Sequence, residues 1–145
     1  MIHMRNSLHH KLMRTHGALH KAVMAKAREI ELTSGQPKIL EFLMEQNGVE
    51  QNVIAQNCGI ENATAGNVLG RMEESGLIER RRRDGNRRSL YIYLTERGRA
   101  AAVQMEHIFE AADRRATRGL SDEEVSTLFR LLDVVYANIT IKGSD

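Results

Sequence analysis

A chain of 145 residues with 41% hydrophobic and 28% charged side chains carries enough apolar content for one compact folding unit, and its net charge of +2 is too small to favour disorder. One proline, no tryptophan and 4% aromatics, set against many Leu, Met, Ala, Glu and Arg, favour helix over sheet. No run nears the roughly 20 apolar residues of a membrane span, no apolar leader follows Met1, and Cys58 as the only cysteine rules out an intrachain disulfide, so the expectation is a cytoplasmic protein with no membrane partner.

From Arg5 to about Glu31, Leu8, Leu12, Leu19, Val23, Ala27 and Ile30 recur at helical spacing and predict a first amphipathic helix, interrupted by Gly17. Thr33 or Ser34 is expected to cap a second helix, with Pro37 in its first turn, Ile39, Leu40, Leu43 and Met44 on its apolar face, and an end near Asn47 and Gly48. Gln51 to Cys58 reads as a short third helix closed by Gly59. A fourth helix is expected from an Asn62 cap to about Ser75, with Ala65, Val68, Leu69 and Met72 inward.

The period then changes from helical to alternating. Leu77 and Ile78, then Leu90, Ile92 and Leu94 alternating with Tyr91 and Tyr93, predict two strands around an Asp84-Gly85-Asn86 turn. Thr95 should cap a long helix to about Arg118, and Ser121 with Glu124 forms a capping box for a last helix lined by Val125, Leu128, Phe129, Leu132, Val135 and Ile139. The fold class expected is mostly α with a small β-hairpin (α+β).

Two short helices joined by a glycine-containing turn and followed by a hairpin give the order of a winged helix-turn-helix. With the fourth helix packed as above, Ala63, Asn67, Gly70 and Glu74 face away from the core, flanked by Thr64, Gly66 and Arg71. Asn67 is the strongest base reader among them, because an amide pairs bidentately with adenine, while Thr64 suits a thymine methyl or a phosphate. Gly66 and Gly70 each cost about 1 kcal/mol of helix propensity, which close approach to DNA would explain. Arg80, Arg81, Arg82, Arg83, Arg87 and Arg88 stand against Asp84 alone, so the basic charge is concentrated on the hairpin. Arg87 and Arg88 at its tip suit a narrowed minor groove, and along the strand two of the four arginines, taken as Arg81 and Arg83, should face phosphates while the others face solvent or acids such as Glu79.

The runs LTSGQPKILEFL and VIAQNCGIENATAGNVLGRMEESGLIERRRRDGNRRSLYIYLTERG, about Leu32 to Gly98, resemble the MarR (multiple antibiotic resistance regulator) family of bacterial and archaeal regulators. The resemblance implies a homodimer whose N- and C-terminal helices, residues 1–32 and 95–145, intertwine as a dimerisation region, with residues 33–94 as the winged helix-turn-helix. It implies that Asn62, Ala63, Thr64, Gly66, Asn67 and Arg71 form the recognition helix on a pseudo-palindromic duplex operator, with Arg87 or Arg88 as the wing-tip arginine. It also implies a small phenolic, aromatic or anionic effector that lowers DNA affinity, for which Met13, His16, His20 and Met44 are the candidate pocket residues. Family wings often carry Asp two residues before the arginine, where this chain has Asn86, so the ion pair that would orient Arg88 is either supplied by Asp84 or absent.

Blander readings stand beside these. The winged fold could serve protein interaction without DNA, and the regulator could answer to a metal or to oxidation instead. His16 and His20 lie four apart, with His9 and His10 earlier on the same helix, yet no cysteine or paired carboxylate completes a ligand set, so surface or pocket-lining roles are expected and no resident metal or other cofactor. Cys58 falls on the apolar side of a short helix, where a core role outweighs redox sensing. There is no nucleophile with an oriented base and no phosphate-cradling loop, so an enzyme is not expected.

Overall fold

The computed structural model describes residues 6–83 and 85–141, and the side chains of all of these except Asn86, Arg87 and Arg88. Its elements run α1 (Leu8–Glu29), α2 (Gln36–Glu45), β1 (Val49–Glu50), α3 (Gln51–Cys58), α4 (Asn62–Glu74), β2 (Ile78–Arg83), β3 (Asn86–Leu94), α5 (Glu96–Ala116) and α6 (Asp122–Thr140). They form two compact units, one reaching to Ala112 and one beginning at Asp113, so the boundary falls inside α5.

The first unit holds the core. Leu32, Ile39, Leu40, Leu43, Ile54, Leu69, Met72, Ile78, Ile92 and Met105 are fully buried there, drawn from helices and strands alike. Each contributes about 1.5–3 kcal/mol of transfer free energy, which is what holds α2, α3, α4 and the sheet as one body. Length alone pointed to a single core for the whole chain. Among the described residues from Asp113 onward, however, none is buried, because one helix and a helix end cannot cover an apolar stripe between them.

Helix α1 begins where the Ser7 Oγ accepts the His10 amide at 3.1 Å. Only its second half joins the core, through Val23, Met24 and Ala27, while Leu8, Leu12, Met13 and Leu19 are exposed. The start of α2 differs from the sequence expectation: the cap is Gly35, at φ +87°, and not Thr33 or Ser34. The buried Gln36 side chain turns back to accept the Thr33 amide at 3.1 Å, and only a residue at ease in the left-handed region lets the chain double back between them. Pro37 sits in the first turn as expected.

The sheet has the order β1-β3-β2. β2 and β3 pair antiparallel with Ile78 opposite Leu94 and Arg81 opposite Tyr91, and the register shifts between Arg82 and Arg83. β1, which periodicity did not announce, pairs Val49 with Ile92 and Glu50 with Tyr91. It leads directly into α3, so the entry to the helix-turn-helix is stitched to the middle strand of the wing.

The starts of α5 and α6 match their sequence signals. Thr95 Oγ1 accepts the Gly98 amide at 3.0 Å and donates to the Gly76 carbonyl at 2.6 Å. Ser121 Oγ accepts the Glu124 amide at 3.1 Å while Glu124 accepts the Ser121 amide at 2.9 Å, a reciprocal capping box. Among the described residues no helix is long and apolar enough to cross a membrane.

Candidate nucleic-acid interface

The turn between α3 and α4 is built by a small residue and a glycine. Ala55, almost fully buried, lets the two helices approach. Its carbonyl accepts the Ile60 amide at 3.0 Å across Gly59, whose φ of +65° ends α3. Inside α4, Ala65, Leu69 and Met72 are buried and Val68 is half-buried, the inward set that the spacing predicts.

The outward face therefore carries Ala63, Thr64, Asn67, Arg71 and Glu74, all exposed. The side chains of Thr64, Asn67 and Arg71 make no hydrogen bond or ion pair with the described residues, so their polar groups are uncommitted. Two predicted members of this face behave otherwise. Asn62 is the first residue of α4 and not its cap; the cap is Glu61, which makes no side-chain bond, and Asn62 is held by Gln51 instead. Gly66, read from sequence as room for DNA, has an internal reason to be small, since a Cβ there would lie 3.1 Å from the Gln51 Nε2. At Gly70 a Cβ would meet nothing within 4 Å, so no neighbour in the chain asks for glycine there.

The hairpin holds its arginines by register. Antiparallel pairing puts Arg81 and Arg83 on the face that carries Tyr91 and Tyr93. Arg83 lies 4.0 Å over the Tyr91 ring, donates from Nη2 to the Gly48 carbonyl at 2.7 Å and from Nε to the Tyr93 hydroxyl at 3.3 Å. Donation to the Tyr93 oxygen raises the guanidinium pKa above its already high ordinary value. Arg81 pairs with Glu79 and stacks 4.8 Å over Tyr93. Arg80, on the opposite face, is drawn to Glu73 of α4 at 3.8 Å, and its buried Nε has no hydrogen-bond partner among the described residues. Arg81 and Arg83 thus share the expected strand face, but each already has partners within the chain. Arg87 and Arg88 fall in β3 just after the turn; their side chains, and Asp84, lie outside the described residues.

Tyr91, Tyr93, Gln51 and Glu73 were not singled out by sequence reasoning as members of this surface. The tyrosines were legible as strand residues; only the register shows which arginines they support.

The candidate effector residues are not gathered by any described contact. Met13 is 55% exposed on α1, where His16 and His20 stack with ring centroids 5.9 Å apart. Met44 belongs to α2, half-buried against the core with the Arg99 Nη1 3.9 Å from its sulfur. Cys58 is half-buried, its Sγ 3.8 Å from the Lys38 carbonyl. Burial raises its thiol pKa, a shift that Lys38 opposes and Glu41 assists.

Comparison with known proteins bears on the same region. The profile of the MarR family matches residues 32–90. The transcriptional regulator MgrA of Staphylococcus aureus, described as of helix-turn-helix type, is 28% identical over 109 residues, covering 74% of this chain and 72% of that protein. A MarR family transcriptional regulator from Listeria monocytogenes, solved with a 26-mer DNA, superimposes with a TM-score of 0.86 at 22% identity over 92% of this chain and 89% of its own. The transcriptional repressor CouR, solved on a 23-mer duplex, gives 0.82 at 25% identity over 90% of this chain and 92% of its own.

Proposed function

We propose that the chain, whose residues 32–90 match the MarR family profile, is a member of that family and a sequence-specific regulator of transcription that grips duplex DNA as a homodimer. The observation that carries the reading is the outward face of α4, where Thr64, Asn67 and Arg71 are exposed and uncommitted beside a hairpin that concentrates the arginines. A helix with a small, uncharged leading half enters the major groove, and Asn67 offers the donor and acceptor that an adenine edge requires. Arg87 and Arg88 at the hairpin tip follow the adjacent minor groove, and the helix and hairpin together are the DNA-reading part, residues 33–94.

The dimer is supported by what the helices outside that part leave uncovered. Leu8, Leu12, Met13 and Leu19 on α1, and Leu128, Phe129, Leu131, Leu132, Val134 and Ile139 on α6, are exposed apolar side chains in numbers a soluble monomer rarely tolerates. Pairing residues 1–32 and 95–145 with a second copy covers them and sets two α4 helices about 34 Å apart, one turn of DNA. The protein works in the cytoplasm by binding and not by catalysis, and a small aromatic or anionic effector releases it.

Fluorescence anisotropy with duplexes enriched from genomic DNA tests this reading. The expected result is saturable binding at moderate salt, at two protomers per duplex, that a random duplex does not compete away. Binding with no sequence preference at any salt concentration would overturn it.

A further inference from the structure

Gln51 opens α3 and Asn62 opens α4, and a single group joins them. The Gln51 Nε2 donates to the Asn62 backbone carbonyl at 3.0 Å and to the Asn62 Oδ1 at 3.2 Å. A backbone carbonyl only accepts, so the first bond fixes which end of the Gln51 carboxamide faces α4. That end bears hydrogens, so the Asn62 side chain must turn its oxygen toward Gln51. Its Nδ2, a donor with no lone pair to offer, is left on the side away from Gln51, at an exposed position.

The arrangement is supported on both sides. Gln51 follows directly on Val49 and Glu50, which pair antiparallel with Ile92 and Tyr91 of β3, so its backbone has little freedom. One turn along α4 from Asn62, Gly66 leaves the space the Gln51 amide occupies; a Cβ there would lie 3.1 Å from Nε2. The glycine, the paired strand and the twofold donation all serve one orientation of one carboxamide.

We infer that Gln51 is the positioning residue that decides what Asn62 reads, holding it as a hydrogen-bond donor that selects guanine over adenine at one position of each half-site. The inference rests on the DNA-binding reading above. An unrestrained asparagine reads adenine with both its oxygen and its nitrogen, against N6 and N7. With Oδ1 turned to Gln51 that pairing loses its acceptor, whereas guanine presents two acceptors, N7 and O6, to the free Nδ2.

Selection from a randomised duplex pool, with sequencing of the bound fraction, tests it on the full-length wild type and on Asn62→Ala, Gln51→Ala and Gly66→Ala. Asn62→Ala should flatten the preference at one position per half-site and so identify it. Gln51→Ala should shift that same position from guanine toward adenine by on the order of tenfold, leaving the other positions unchanged. Gly66→Ala, which crowds the Gln51 amide while improving helix propensity, should shift the same position with a melting temperature no lower than wild type. A purely structural role would weaken binding at all positions equally. An unchanged guanine preference in Gln51→Ala, a uniform loss in every variant, or no effect of Asn62→Ala at any position would each overturn the inference. A wild type that enriches no sequence would sink the DNA-binding reading itself, a distinct outcome.

Discussion

A Cβ on Gly98 would stand 1.8 Å from the carbonyl oxygen of Leu77. That oxygen is not free to retreat, since it accepts the Thr95 amide at 3.1 Å, and Thr95 in turn caps α5 and bonds Gly76. The first turn of α5 is thereby seated directly on the chain entering β2. Gly98→Ala should lower stability by about 3 kcal/mol, because backbone must move where a side chain could have rotated, and the usual helix gain of about 1 kcal/mol offsets only part of this. Urea unfolding at unchanged m-value measures it. A variant as stable as wild type would mean that the helix start is not seated there.

Gly17 makes the opposite case. It lies in α1 with open space where a Cβ would go. Gly17→Ala should stabilise by about 0.5–1 kcal/mol and raise the melting temperature by about 2–4 °C. Calorimetry reads the shift, and a lower melting temperature would show that the position is crowded by something outside this chain.

Asn67→Ala and the double change Arg87→Ala with Arg88→Ala should fail in different ways. Losing Asn67 removes a base reader, so binding to the preferred duplex weakens by about 1–3 kcal/mol while binding to random duplex is nearly unaffected. Losing the arginines weakens all sequences alike and flattens the plot of log affinity against log salt by about one unit per lost phosphate contact. Anisotropy titrations at several salt concentrations separate the two. Equal effects on both duplexes from Asn67→Ala would remove it from the base-reading set.

Burial holds the Cys58 thiol above its ordinary pKa, so the folded chain keeps its proton at a pH where the unfolded chain has released it. The corresponding stability is fully present below the unfolded thiol pKa of about 8.5 and is lost as pH rises beyond it. Wild type should therefore lose stability above that pH more steeply than Cys58→Ala, with a constant difference between the two from about pH 6 to 8. Parallel curves across the alkaline range would show that Cys58 ionises equally well in both states.

Phe129→Glu together with Leu132→Glu places charge on the exposed apolar side of α6. If that side is covered by a second copy, the mass in solution falls from twice 16.4 kDa to 16.4 kDa, while the helical circular dichroism of the first unit is retained. Light scattering on the eluted peak decides. A mass that does not change would place the dimer contact elsewhere.

Elements whose cause is local were legible in the sequence. Gly59, Thr95 and the Ser121–Glu124 box each terminate or start a helix through atoms within a few residues, and the inward face of α4 follows from spacing alone. What escaped depends on residues far apart in the chain. β1 is only Val49 and Glu50, too short to show a period, and exists because β3 offers it an edge. Asn62 has the chemistry of a cap, yet a glutamine eleven residues earlier claims its side chain. The partners of Arg81 and Arg83 follow from a register that no count of arginines reveals.

The strand order β1-β3-β2 leaves the sheet two open borders, and each is poor material for adhesion. One is two residues long; the other is Ile-Glu-Arg-Arg-Arg-Arg, whose repeated positive charge repels an identical strand from a neighbouring molecule. The same arginines that suit a polyanion therefore guard the folded protein against stacking border to border into aggregates. Neutralising them to study nucleic-acid affinity would also strip that protection.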